Sequence, residues 1–87
     1  MLPWVFVRVM PSGPVPKVAH AVAGVTPVAW YGSELHGRRV VFAGGSCRTR
    51  VAAPAGERNG CVFRNPGRYV YRLEGVAARG VVVVTRG

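Results

Sequence analysis

The side chains able to do chemistry in this sequence are few: Cys47 and Cys61, His20 and His36, Ser12, Ser33 and Ser46, and the carboxylates Glu34, Glu57 and Glu74. Nucleophilic catalysis needs a nucleophile, a base and an orienting acid. These residues fall in no such motif, so no catalytic residue is assigned and an enzyme is not expected. Two cysteines without a CxxC spacing are a poor zinc signal, and His20, His36 and the cysteines make a mixed metal site only if folding gathers them. No metal or other cofactor is assigned. Gly44-Gly45-Ser46 imitates a phosphate-cradling turn, but no helix pattern follows it to supply an N-terminus. The cysteines stand fourteen apart across a loop containing Pro and Gly. A disulfide closing such a loop contributes about 3 kcal/mol in the chain-entropy account; the alternative is a pair of buried thiols. A disulfide implies an oxidising compartment or the cytoplasm of a thermophile, so extracellular and thermophile-cytoplasmic locations both stay open.

Positive charge is the abundant chemistry. Eleven Arg and one Lys face three Glu and no Asp, a net charge of +9. Such a balance suits an anionic partner: nucleic acid, a ribosome or an acidic membrane surface. The competing reading is compositional, because Arg, Ala, Gly, Val and Pro share GC-rich codons and scarce Asn and Gln suit a heat-adapted organism. Arg38-Arg39 is the only tight cluster, and the other basic residues come one or two per strand. Tyr69 and Tyr71, with Arg64, Arg68 and Arg72 nearby, have the residue types of a base-stacking platform. Alternation, however, sets the tyrosines on the face opposite Arg68 and Arg72, so the tyrosines read as core and the arginines as solvated surface. Trp4, Phe6, Trp30 and Phe42 also read as core.

Eighty-seven residues bound the chain to one domain, 1–87, in which every strand must contribute to burial. Valine dominates the apolar set, with eighteen residues against no isoleucine, and its stiff branched side chain suits a pleated sheet. Twelve Gly and seven Pro punctuate the chain into short elements. Residues 4–10 alternate with Val5, Val7 and Val9 on one face, a strand. Residues 17–22 read as a strand, with a short helix as the alternative. Residues 25–31 follow, with Pro27 expected at an edge or bulge. Strands are also expected at 38–43, 47–52, 61–64, 68–73 and 81–84, the last apolar on both faces and therefore central. Turns every eight to twelve residues are the spacing of a β-sandwich or barrel. The expectation is an all-β, Greek-key sandwich or barrel of about seven to eight short strands. No stretch reaches the ~20 apolar residues of a membrane span. The leading apolar run, 2–7, has no positive charge before it and is cut short by Arg8, so a signal peptide is not expected, although Ala19-His20-Ala21 imitates a cleavage site.

Three segments over roughly residues 15–85 carry a resemblance. Val22-Ala-Gly24 followed by Val28-Ala-Trp30 resembles the Val-x-x-Gly-x-x-Val-x-Trp strand pair of the cupredoxins, the blue-copper electron carriers, with one residue extra. Val40-Val41-Phe42 resembles the strand bearing their first histidine ligand, and Asn65-Pro66-Gly67-x-Tyr69-x-Tyr71 the strand that ends at the copper cysteine. Small Ig-like domains share the Pro-Gly-x-Tyr pattern and are the alternative fold. Blue copper needs two imidazoles, a thiolate and a weak axial sulfur. The resemblance places Arg38 at the first histidine, with His36 two residues early, Leu73 at the cysteine and Val76 near the second histidine. The ligand set is therefore not carried over.

Function is expected to be that of a non-enzymatic binding or structural module, engaging nucleic acid or another polyanion through Arg38, Arg39, Arg48, Arg50, Arg68 and Arg72. An extracellular or cell-surface assembly subunit, forming homo-oligomers by pairing edge strands, is the alternative. A copper electron carrier is the least favoured.

Overall fold

Period-two patterning becomes strand where valine, alanine, leucine or an aromatic ring takes the inward-facing positions. The computed structural model describes residues 4–87; Met1, Leu2 and Pro3, which open the leading apolar run, lie outside the described residues. The strands are β1 (Val5–Met10), β2 (Gly13–Val15), β3 (Val18–Val22), β4 (Pro27–Tyr31), β5 (Arg39–Phe42), β6 (Arg48–Arg50), β7 (Cys61–Val62), β8 (Gly67–Leu73) and β9 (Arg79–Thr85), with one 3-10 turn at Ala43–Gly45. They form two sheets, ordered β2-β1-β4-β7 and β3-β9-β8-β5-β6. Pairing is antiparallel except for β1 with β4 and β3 with β9.

The expected all-β sandwich is what forms, with nine strands where seven to eight were expected. The added element is β2: Gly13, Pro14 and Val15, a Gly/Pro-rich stretch where no strand was expected, turn back to pair with β1. Residues 18–22 are strand rather than helix. β9 lies between β3 and β8, and Val81, Val82 and Val84 are all buried there, as a run apolar on both faces requires of an inner strand. Pro27 departs from expectation. It opens β4, an inner strand, where the ladder with β1 begins only at Val28, so no partner on that side needs its missing N–H.

The two sheets meet on an aromatic core. Trp30 of β4 takes Phe42 and Tyr71 edge-on at centroid distances of 5.7 and 5.3 Å, and Phe42 also meets Phe63 at 5.5 Å. Trp30 and Tyr71 are almost fully buried, as the reading of core aromatics required. Trp4 and Phe6 were expected beside them and are instead exposed, at 42% and 46%. Parity along β1 decides this: once Val7 and Val9 point inward, positions 4, 6 and 8 must point out. Gly80 sits opposite Tyr71 in the β8–β9 ladder, and a Cβ on it would run into the Tyr71 phenol. The missing side chain is thus what lets the ring lie flat over the neighbouring strand. Burial raises the Tyr71 pKa, and the nearby Trp30 indole N–H offsets that only in part.

Cys47, just before β6, is bonded to Cys61 at the start of β7, with Cα atoms 6.2 Å apart. Because β6 and β7 belong to different sheets, the bond ties the sandwich together along one side. Thr49 Oγ1, donating to Asn59 O at 3.0 Å, fastens the same loop a second time.

Two outcomes test this packing. Reducing the disulfide, or replacing both cysteines with serine, lowers unfolding free energy in a denaturant titration by about 3 kcal/mol; an unchanged midpoint would show that the clasp is idle. Gly80→Ala costs about 1–3 kcal/mol through overpacking, and most of that cost disappears in a Tyr71→Ala background. Strictly additive costs in the double-mutant cycle would refute the contact.

Candidate functional site

Register decides which charged residues share a surface. Cross-strand partners point to the same face. In β8, Tyr71 and Leu73 face the core with Tyr69 partly buried beside them, so Arg68, Val70 and Arg72 face out. Arg72 stands opposite Arg79 of β9 on one side and Val41 of β5 on the other, and Val41 stands opposite Arg48 of β6. One rung therefore reads Arg79–Arg72–Val41–Arg48 across four strands. The neighbouring rung pairs Arg39 with Arg50 and ends at Glu74, whose backbone N–H donates to Arg39 O at 2.9 Å. Arg68 lies opposite Val83, which lies opposite His20. Val18, Val70 and Val81 complete the outer face.

Five of the six arginines singled out from sequence thus lie on the outer face of the five-stranded sheet: Arg39, Arg48, Arg50, Arg68 and Arg72, all exposed. Arg38 has the opposite parity and does not join them. Its guanidinium bends over Gly75 and donates from Nη1 to Glu74 O at 3.4 Å. Arg79 belongs to the face and escaped the sequence reading, because nothing before the β8–β9 register sets it against Arg72. Among the described residues one ion pair is present: Arg39 Nε donates to Glu74 Oε2 at 2.8 Å and Nη2 donates to the same oxygen. The hydrogen bond from Arg39 holds the Glu74 carboxyl below its ordinary pKa. Arg50 Nη1 donates to Gly37 O at 2.8 Å. Arg48, Arg72 and Arg79 have no acidic partner among the described residues.

At the end of the sandwich where the resemblance places copper, Leu73 is buried, Val76 packs against the core and Arg38 covers the turn. Backbone bonds from Val76 N to Leu73 O and from Leu73 N to Ala78 O, at 3.2 and 3.3 Å, close this turn. A guanidinium is a donor without a lone pair to give, and two aliphatic chains offer none, so this set does not fit copper. His36 is turned away, its Nδ1–H donating to Ser33 O at 2.9 Å. A mixed site of His20, His36 and the cysteines is not assembled: the cysteines are bonded to each other, and His20 lies on the outer face of β3. Ser12, Ser33 and Glu34 line an open hollow of about 440 Å³ with Arg8, without a histidine to act as base. Tyr69 and Tyr71 form no surface platform; Tyr69 Oη donates to Asn65 O at 2.6 Å, closing the Asn65-Pro66-Gly67 bend. No helix among the described residues is long and apolar enough to cross a membrane.

No protein-family model and no curated protein matches the chain. Solved structures do. The copper-containing nitrite reductase of Thermus scotoductus SA-01 superposes with a TM-score of 0.71 at 23% identity, over 98% of this chain and 23% of the reductase. This chain therefore spans less than a quarter of that enzyme's length. An amicyanin variant in its Cu(I) form gives 0.70 at 23% identity, over 93% of this chain and 81% of the amicyanin. A purple cupredoxin from Nitrosopumilus maritimus gives 0.70 at 15% identity, over 93% and 99%. At such identities the likeness speaks for the fold alone. The chain has the cupredoxin fold, with a guanidinium and aliphatic side chains where that fold's copper ligands were expected.

Proposed function

We propose that this is a non-enzymatic binding module whose outer five-stranded face engages a polyanion, nucleic acid foremost, through Arg39, Arg48, Arg50, Arg68, Arg72 and Arg79. The observation that carries the reading is the Arg79–Arg72–Val41–Arg48 rung. Like charges directly opposite one another in a sheet are destabilising, and among the described residues no carboxylate pairs with Arg72, Arg79 or Arg48. A row of phosphates would. Strands repeat at ~4.8 Å and same-face residues at ~7 Å, so the face is a grid of cations on a rigid sheet. Arginine suits this task, since its planar fork binds phosphate oxygens in pairs. The valines between the arginines are short and leave the guanidinium groups standing proud. Arg38 is left out of the binding set, because it is spent on the turn beside Gly75.

The alternative of an assembly subunit rests on the sheet edges. β2, β6 and β7 are too short to template another chain, while β3 offers five residues, Val18–Val22. A strictly monomeric species in sedimentation at high concentration would remove it.

Binding to a labelled single-stranded oligonucleotide, followed by anisotropy across salt concentration, tests the polyanion reading. The logarithm of affinity falls linearly with log salt, by roughly 0.7 per phosphate neutralised on a single strand. The triple variant Arg48→Gln, Arg72→Gln, Arg79→Gln lowers that slope by about 2 while folding normally, since it removes like-charge pairs. No binding at low salt would end the proposal. Glu74→Gln is expected to act in the other direction: freeing Arg39 and removing the face's carboxylate raises affinity at low salt. A weaker complex in that variant would mean that Arg39 is structural only.

A further inference from the structure

The opposite side of the sandwich carries a second surface that the arginine face does not explain. Along β1 the outward positions are Trp4, Phe6 and Arg8. Trp4 and Phe6 stack with centroids 5.9 Å apart and ring planes at 19°. The parallel register with β4 sets Phe6 beside Ala29 and Arg8 beside Tyr31. Because Ala29 is small, Phe6 reaches Tyr31 edge-on at 6.5 Å. Arg58, from the loop between β6 and β7, lays its guanidinium over both rings, 5.1 Å from Phe6 and 4.8 Å from Tyr31, and its Nη2 donates to Pro54 O at 2.8 Å. The same loop pins the indole from its edge: a Cβ on Gly60 would lie 2.7 Å from Trp4 and 3.0 Å from Pro27. Trp4 and Phe6 thus make a stacked pair, continued into a strip by the Arg58 guanidinium, which bridges from Phe6 to the edge-on Tyr31.

Charge selects the occupant. Two arginines, Arg8 and Arg58, lie in or beside the strip, and among the described residues neither forms an ion pair, although Glu34 lines the neighbouring hollow with Arg8 and Tyr31. A second copy, also at +9, would bring like charge onto like charge. A sugar has no charge to meet these arginines. Flat rings beside guanidinium groups match unpaired bases joined by phosphates, since every base has a π-face and arginine serves both stacking and phosphate contact.

We propose that the Trp4–Phe6–Arg58–Tyr31 strip stacks the bases of single-stranded nucleic acid. The proposal rests on the polyanion reading of the arginine face and narrows it from any polyanion to an unpaired strand. The two faces look in opposite directions, so variants on one leave the other intact.

The test compares a dodecamer of deoxythymidylate with an abasic deoxyribose-phosphate dodecamer of equal charge, reading intrinsic tryptophan fluorescence and affinity together. Trp30 is 1% exposed, so quenching on binding reports Trp4. The thymidylate is expected to quench and to bind tighter than the abasic strand, by roughly 5- to 150-fold per stacked base. Phe6→Ala erodes that advantage and leaves abasic binding and the salt slope unchanged, whereas Arg58→Gln erodes it and also lowers the slope by about 0.7, one phosphate contact on a single strand. Equal affinity for the two strands with no quenching overturns the proposal and leaves the arginine face standing. Failure of both strands to bind overturns both readings. A concentration-dependent dimer that Trp4→Ala dissolves would show that the strip is a self-association surface instead. The wild-type fluorescence comparison decides the matter even if a variant fails to fold.

Discussion

The packing of Trp30 against Tyr71 and Phe42 is the contact on which the rest of the molecule depends. Trp30 comes from the four-stranded sheet and the other two rings from the five-stranded one, so this contact is where two separate sheets become one fold. It fixes parity on every strand that touches it. With Tyr71 inward, Arg68, Val70 and Arg72 must face out; with Trp30 inward, Ala29 and Tyr31 must face the other way, beside Phe6 and Arg8. A one-residue slip would exchange core for surface along a whole strand. Both candidate surfaces are therefore consequences of one aromatic cluster and the glycine that admits it.

The pole that would carry a metal in this fold is held together by other means. A metal there would join the β5 end to the turn after β8. Here Arg39 and Glu74 join the same segments, but an exposed ion pair is weak in water and screened by salt. The stronger tie is apolar and backbone: Leu73 is fully buried, and Glu74 N–H to Arg39 O continues the ladder past the last residue of β8. The pole is ordered by packing, so the fold closes there through apolar and backbone contacts of its own. The disulfide works at a different place, the β6–β7 side, where each strand is too short to hold itself.

Much of this was legible in the residues. The Asn65-Pro66-Gly67 bend, the Tyr69-x-Tyr71 alternation and the four valines from 81 to 84 are local signals, and each determined its element correctly. The resemblance to cupredoxins came from the same segments and agrees with the superpositions. What stayed hidden is what depends on register. Arg79 sits at the start of a strand with nothing in its neighbourhood to mark it, and only its pairing with Arg72 makes it part of a surface. Trp4 and Phe6 misled in the opposite way: residue type argued for the core, whereas the valines between them already held the inward positions. Arg58 lies in a polar turn, and its place over two aromatic rings follows from a long-range contact that no local pattern encodes.

The exposure of Trp4 and Phe6 is also an argument about purpose. A small domain has little apolar surface to spare, because so much of its chain already lies at the surface. Burying these two rings would have added to a core that needs it, and parity alone does not forbid a valine or threonine at either outward position. Instead the loop carrying Arg58 and Gly60 is shaped around them, with a residue lacking a side chain where Trp4 comes closest. A surface cluster that merely tolerated its aromatics would not require a glycine to seat one and a guanidinium to cover two. The structure keeps Trp4 and Phe6 stacked and half open beside the Arg58 guanidinium, leaving in water an apolar surface that a small core could otherwise have used.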